Sequence, residues 1–323
     1  MESPRPGTAT RYGPVSADIP LVGERLRALA EGHHPLLGEA LAYLFDRAGK
    51  RIRPALVLLS GRLGAYPRER LITLAASLEV VHSATLVHDD TIDEALTRHG
   101  LDTINQMWDS KVAILVGDFL FAQSAELAAQ LDSVRIMTLL SETVMAMSSG
   151  ELRQYASTRD RELDEGGYFR RIAGKTASLF AMCCQGGAII GELPEDQIEA
   201  LHDYGINLGL AFQIADDVLD FKGDEATLGK PAGSDLRQGT LTLPVILLSE
   251  TLPRGSALLR YIEEGSNADI LIEAVRESGM LEVSLERAEA YAGEARRALD
   301  KFPNSVAKDA LLTMTEQVIH REM

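Results

Sequence analysis

Apolar residues recur at three- and four-residue intervals from Leu71 through Leu74, Ala75, Leu78 and Val81 to Leu86, the pattern of a helix with a broad apolar face. Proline placement sets how far such helices can run, because proline is tolerated in a first turn and disrupts helix interiors and inner strands. None occurs between Pro67 and Pro194. That stretch is rich in Ala, Leu, Met, Glu and Gln and has no Asn-Gly or Asp-Gly hairpin signal, so long helices are predicted. Helix starts are predicted at Pro194-Glu195-Asp196 and Pro303-Asn304-Ser305, and breaks at Gly100, Gly166-Gly167 and Gly191. The uncharged run Thr176 to Gly191 reads as a buried helix, too short and too mixed to cross a bilayer of roughly 30 Å. Gly223 to Gly239 holds glycines, Pro231 and charges of both signs, the composition of a loop suited to fold over a site. The proline-rich segment 1–20 lacks the apolar core of a signal peptide and is expected to be a flexible tail. No linker interrupts the rest, so residues 21–323 are expected to form a single all-α domain.

Composition narrows the function. Apolar residues make up 46% and charged residues 25% of the 323, as in globular proteins. The net charge of −16 argues against nucleic acid and against anionic membrane surfaces as partners. A protein this acidic needs cations if it is to handle phosphates. The two cysteines, Cys183 and Cys184, are adjacent, which gives neither a disulfide framework nor a CxxC spacing and points to a reducing, cytoplasmic setting.

The sharpest feature is a pair of DDxxD clusters, Asp89-Asp90-Thr91-Ile92-Asp93 and Asp216-Asp217-Val218-Leu219-Asp220. On a helix, the first and last carboxylates of each lie one turn apart on one face, where unbalanced charge is destabilising. A single cluster of this kind is as readily a solvated acidic surface, but two are rare by chance. Both follow apolar helical segments, which turns the carboxylates inward. Buried acids need counter-charge, and a set made of oxygen alone favours Mg²⁺, which keeps waters and bridges carboxylate to phosphate. A diphosphate held through Mg²⁺ between the two clusters is the resulting expectation. Gly49-Lys50-Arg51-Ile52-Arg53-Pro54 adds three cations, with Lys50 and Arg53 expected on one helix face. Glu79 and His82 share a face with the first cluster.

These residues together resemble the trans-isoprenyl diphosphate synthases, or polyprenyl synthetases. The family's GKRxRP appears as Gly49 to Pro54, its first aspartate motif as Asp89 to Asp93, its KT pair as Lys175-Thr176, and its FQxxDD as Phe212 to Asp217, extended to Asp220. Gly229-Lys230-Pro231-Ala232-Gly233-Ser234-Asp235-Leu236 and Thr242-Leu243-Pro244 match as well. The resemblance implies the isoprenoid synthase fold, a bundle of long helices around a central cavity, usually as a homodimer. It implies condensation of isopentenyl diphosphate with an allylic diphosphate by ionisation, condensation and elimination. Asp89, Asp90, Asp93, Asp216, Asp217 and Asp220 would hold Mg²⁺ ions, about three by the family pattern, on the allylic diphosphate, which Arg98, Lys175 and Lys230 would also grip. Lys50, Arg53 and His82 would bind isopentenyl diphosphate without metal. The oxygens of Thr176 and Gln213 would stabilise the allylic cation, and the proton would leave to released pyrophosphate.

Two positions depart from the family pattern. His99 follows Arg98 where a second arginine is usual, and Thr240 stands where a lysine often follows the loop. A neutral His is a poorer anion ligand than a guanidinium, so weaker binding of isopentenyl diphosphate is expected. Ala84 and Thr85 precede the first cluster by one turn and carry no aromatic wall, while Val81 and Leu78 lie one and two turns deeper, at a pitch of about 5.4 Å. A product longer than fifteen carbons is expected. The alternatives are a subunit of a heteromeric synthase that needs a partner and a class I terpene cyclase. The first normally lacks metal-binding carboxylates, all six of which are present here, and the second carries a different second metal pattern.

Overall fold

The computed structural model describes residues 12–46, 49–98, 100–160, 163–223 and 231–319, the side chains of residues 159 and 160 excepted. In chain order the described helices are α1 (Ile19–Ala28), α2 (Pro35–Phe45), α3 (Ile52–Arg62) and α4 (Arg68–Ile92). A minimal antiparallel hairpin, β1 (Thr97–Arg98) with β2 (Leu101–Asp102), leads to α5 (Ile104–Met107), α6 (Ser110–Ala129), α7 (Val134–Asp160) and α8 (Glu165–Ile172). A π-helical turn, Ala173–Ala177, connects α8 to α9 (Ser178–Ile190), and α10 (Glu195–Lys222) follows. The remaining helices are α11 (Ser234–Arg237), α12 (Leu243–Thr251), α13 (Ala257–Glu264), α14 (Ala268–Glu277), α15 (Met280–Ala298) and α16 (Val306–Ile319). The fold is all-α, as expected.

The chain divides into two compact units. The first comprises residues 1–144, 180–202 and 299–313. Its centre is α4, which packs on α1, α3 and α6. Every residue from Leu71 to Val81 is buried, so the helix is enclosed on all sides and not along one apolar stripe. The polar residues in this run are satisfied internally: the Thr73 hydroxyl donates to the Glu69 carbonyl at 2.9 Å and that of Ser77 to the Ser124 carbonyl at 2.8 Å. Helix α9 crosses α3 in backbone contact. A Cβ on Gly187 would lie 2.4 Å from the Val57 carbonyl oxygen, and the Ala65 amide donates to the Gly191 carbonyl at 2.8 Å. The free thiols of Cys183 and Cys184 are buried beside this crossing. Helices α4 and α6 are long and apolar enough to cross a membrane by length and composition, but 72% of the α4 window is buried in the protein.

The second unit comprises residues 145–179, 203–298 and 314–323. Tyr168, Ile172, Val218, Phe221, Leu243 and Val275 belong to its core, where α12 packs on α8, α14 and α15.

Three local expectations change. Of the tail expected at 1–20, residues 12–20 are folded: Tyr12 and Val15 are buried, and Gly13–Val15 forms a 3₁₀ turn. Gly166-Gly167 is a helix start and not a break, because both amides donate to the Asp164 carboxylate that caps α8. Lys50 does not share a helix face with Arg53, since α3 begins only at Ile52, after Arg51 in a left-handed conformation (φ 51°).

Candidate active site

In the first unit, α3, α4 and the hairpin bring cations together around His82. The side chain of Arg51 turns to Glu79, its Nη1 at 2.7 Å from Oε1. Arg53 lies over the Phe180 ring at 5.1 Å. Burial holds its pKa below the usual arginine value, against the pull of Glu79. His82 is held well below the usual histidine range, first by burial and then by the charges of Arg53, Arg98 and Arg51, and is therefore neutral at pH 7. A neutral imidazole among three guanidiniums is the electrostatics of a site built for an anion.

At the end of α4 the three carboxylates of the first cluster differ. Asp90 is buried and accepts both Nε and Nη2 of Arg98, each at 2.7 Å. The pKa of Arg98 is raised: burial acts against this, but Asp90, with Asp89 and Asp93, outweighs it. The chain leading to Arg98 is pinned at the Ala95 carbonyl, which accepts from the Thr103 hydroxyl at 2.7 Å and the Asn105 amide at 3.1 Å. Asp89 is half-buried and Asp93 is exposed.

In the second unit the π-turn carries Lys175 and Thr176. A π-turn shifts the phase of the helix and is frequent at functional sites. Here it packs on α7 through two glycines: a Cβ on Gly150 would lie 2.4 Å from the Lys175 nitrogen, and one on Gly174 would lie 2.8 Å from the Ala146 carbonyl oxygen. The Lys175 ammonium pairs with Glu151 at 2.5 Å and donates to Gln154 at 3.3 Å. A continuous polar chain then runs to the second cluster. The Thr176 hydroxyl donates to Gln213 Oε1, Gln213 Nε2 donates to Asp217 Oδ1, and the Tyr168 hydroxyl donates to Asp217 Oδ2, each at 2.8 Å. Burial, and then the nearby Asp235 charge, pushes the Asp217 carboxyl up to about 7. The buried guanidinium of Arg171 stacks on Tyr168 and donates to the Leu241 carbonyl at 2.9 Å. Asp220 is also buried. Its Oδ2 accepts the Asp235 amide at 3.2 Å and its carbonyl accepts the Gly233 amide at 2.8 Å, so it ties down the described end of the 223–239 loop. Asp216 is exposed.

In both clusters the middle aspartate is buried on protein donors, while the first is more accessible, half-buried at Asp89 and exposed at Asp216. Among the described residues no three His, Cys, Asp or Glu side chains are gathered closely enough to enclose a metal by themselves. Hard carboxylate oxygens at Asp89, Asp93 and Asp216 fit Mg²⁺, which takes one or two carboxylates, substrate phosphate and water.

Comparison with known proteins identifies the family. Residues 34–278 match the polyprenyl synthetase family. The chain belongs to that family. A prenyl transferase of Synechocystis is 38% identical over 318 residues, 97% of this chain and 98% of the relative. Octaprenyl diphosphate synthase of Escherichia coli is 36% identical over 256 residues, 77% of this chain and 79% of the relative. The crystal structure of a decaprenyl diphosphate synthase from Rhodobacter capsulatus superposes with a TM-score of 0.89 at 36% identity, covering 95% of this chain and 98% of that one. The protein is therefore a polyprenyl diphosphate synthase with the isoprenoid synthase fold.

In this synthase, Val81 and Ala84 are fully buried on α4, and Thr85 is half-buried with its hydroxyl donating to the His82 carbonyl at 2.8 Å. His99 and Lys230 lie outside the described residues. Sequence reasoning missed Glu151, Gln154, Tyr168 and Arg171. Only Tyr168 and Arg171 lie close to the KT pair in sequence, and their contacts, with Asp217 and the Leu241 carbonyl, join segments far apart in the chain.

Proposed function

We propose that this synthase condenses isopentenyl diphosphate with an allylic diphosphate and extends the product beyond fifteen carbons. The observation that carries the reading is the split within each aspartate cluster: Asp90 and Asp217 are buried in hydrogen bonds from Arg98, Tyr168 and Gln213, while Asp89, Asp93 and Asp216 remain accessible to solvent. Of the six aspartates expected to hold Mg²⁺, Asp89, Asp93 and Asp216 would bind it directly, and Asp90, Asp217 and Asp220, which accept hydrogen bonds from the protein, would fix the backbone and charge around them. Bound Mg²⁺ neutralises charge on the departing diphosphate.

The chain's own residues supply the rest. Arg98, Lys175 and Lys230 add cations at the allylic diphosphate. Lys50, Arg53 and neutral His82 hold isopentenyl diphosphate without metal, and His99 contributes to the binding of the same substrate. The oxygens of Thr176 and Gln213, held by Asp217 and Tyr168, present fixed dipoles to the allylic cation. The isopentenyl double bond attacks that cation, and the new cation loses one proton to the released pyrophosphate. Residues 21–323 act as one catalytic domain in this reading, and the buried free thiols of Cys183 and Cys184 suit the cytoplasm. A homodimer belongs to the same reading, supported by the exposed apolar side chains of Ile114 and Leu115 on α6.

Asp89→Ala and Asp216→Ala test the site. Each is expected to lower incorporation of isopentenyl diphosphate by about a hundredfold or more in protein whose circular dichroism is unchanged. Wild-type activity in either variant would remove that residue from the metal site.

A further inference from the structure

The segment ahead of α1 reaches the Gly49–Arg53 turn. Tyr12 is 2% exposed, and its hydroxyl donates to the backbone carbonyl of Lys50. The segment is anchored on both sides of that contact. Val15 is fully buried in the turn that packs on α3, and a Cβ on Gly13 would meet Ala310 of α16 at 3.7 Å. Further along, the Asp18 carboxylate accepts from Arg68 Nε at 2.7 Å and from the Tyr66 hydroxyl.

The restraint falls where the chain is least able to hold itself. Lys50 precedes the helix, and Arg51 takes a left-handed conformation (φ 51°) that disfavours a residue with a Cβ. Arg53, Arg98 and Arg51 all lower the pKa of His82, so positive charge gathers beside this turn while the left-handed residue costs it stability. Two contacts from outside the turn resist this. Glu79 holds the Arg51 side chain, and Tyr12 holds the backbone one residue earlier.

We propose that Tyr12 is a positioning residue for isopentenyl diphosphate, fixing through the Lys50 carbonyl the turn that presents Lys50 and Arg53. The inference rests on the reading of those two cations as the ligands of that substrate. It makes the N-terminal segment part of the binding apparatus. A diphosphate gains from a preset pair of cations because their ordering then no longer opposes binding.

The test is Tyr12→Phe in the full chain, which removes one oxygen and keeps the ring in its pocket. Loss of one hydrogen bond is expected to raise the KM for isopentenyl diphosphate about three- to tenfold, with kcat and the KM for the allylic primer unchanged. Calorimetric titration with isopentenyl diphosphate in metal-free buffer should show the same factor in Kd. Equal KM and Kd values in wild type and variant would overturn the positioning role. So would a lowered melting temperature with both substrates weakened alike, the mark of general packing. A folded wild type that neither binds nor consumes isopentenyl diphosphate would overturn the reading of Lys50 and Arg53 as its ligands, and the inference with it.

Discussion

At the residue scale, burial gives one carboxylate an uncommon titration. Asp217 accepts hydrogen bonds from Gln213 and Tyr168 and feels Arg171, all of which favour its charged form, yet burial and Asp235 outweigh them and move its pKa from 3.8 to about 7. Its folded-state pKa lies above the unfolded value, so the stability it contributes is complete below about pH 4 and is lost as pH rises towards 7. The loss is on the order of a few kcal/mol, at about 1.36 kcal/mol for each pH unit that separates the folded and unfolded values. In metal-free buffer, the stability difference between wild type and Asp217→Asn, followed by chemical denaturation, should move against the wild type between pH 4.5 and 7.5. Parallel pH profiles would show that Asp217 is not titrating in this range. The identities of such residues were legible in the chain, because DDxxD, the KT pair and GKRxRP are contiguous strings. Their partners were not. Tyr168 lies far from Asp217 in sequence, as Tyr12 does from Lys50, and a lone tyrosine carries no periodicity that marks its hydroxyl as a donor.

At the element scale, helix positions follow from proline placement and apolar content, and α4, α9, α10 and α16 fall where these predict them. Phase was harder to read. The three- and four-residue spacing in α4 implies one broad apolar face, but the helix is enclosed all round from Leu71 to Val81, because Thr73 and Ser77 satisfy their hydroxyls on backbone carbonyls and are buried like their apolar neighbours. The π-turn at Ala173–Ala177 was invisible, since an extra residue in one helical turn alters no motif. Val81, Ala84 and Thr85 lie one turn or more before Asp89, and successive turns of about 5.4 Å approximate isoprene units. Thr85→Phe is expected to shorten the longest product by at least one isoprene unit, read by mass spectrometry of the dephosphorylated products. An unchanged product distribution would show that this face of α4 does not border the growing chain.

At the scale of the whole molecule, an acidic protein with net charge −16 must bind two diphosphates. In the proposed reading, divalent cations at Asp89, Asp93 and Asp216 would resolve one part of that conflict, and the cation-rich surroundings of His82 would resolve the other. The all-α class and the family were legible because several motifs occur in the family's order over most of residues 49 to 244. The fold of residues 12–20 was not, since four prolines in the first twenty positions look like a tail until Tyr12 and Val15 are seen to be buried. This synthase joins both substrates and extends the product past fifteen carbons. The most direct measurement incubates the purified protein with Mg²⁺, labelled isopentenyl diphosphate and each of the five-, ten-, fifteen- and twenty-carbon allylic primers, then sizes the dephosphorylated products. A ladder of linear prenyl alcohols ending above fifteen carbons, abolished by chelation of the metal, is the expected result. A product that stops at fifteen carbons, cyclised hydrocarbon, or no consumption of isopentenyl diphosphate by folded protein with any primer would contradict it.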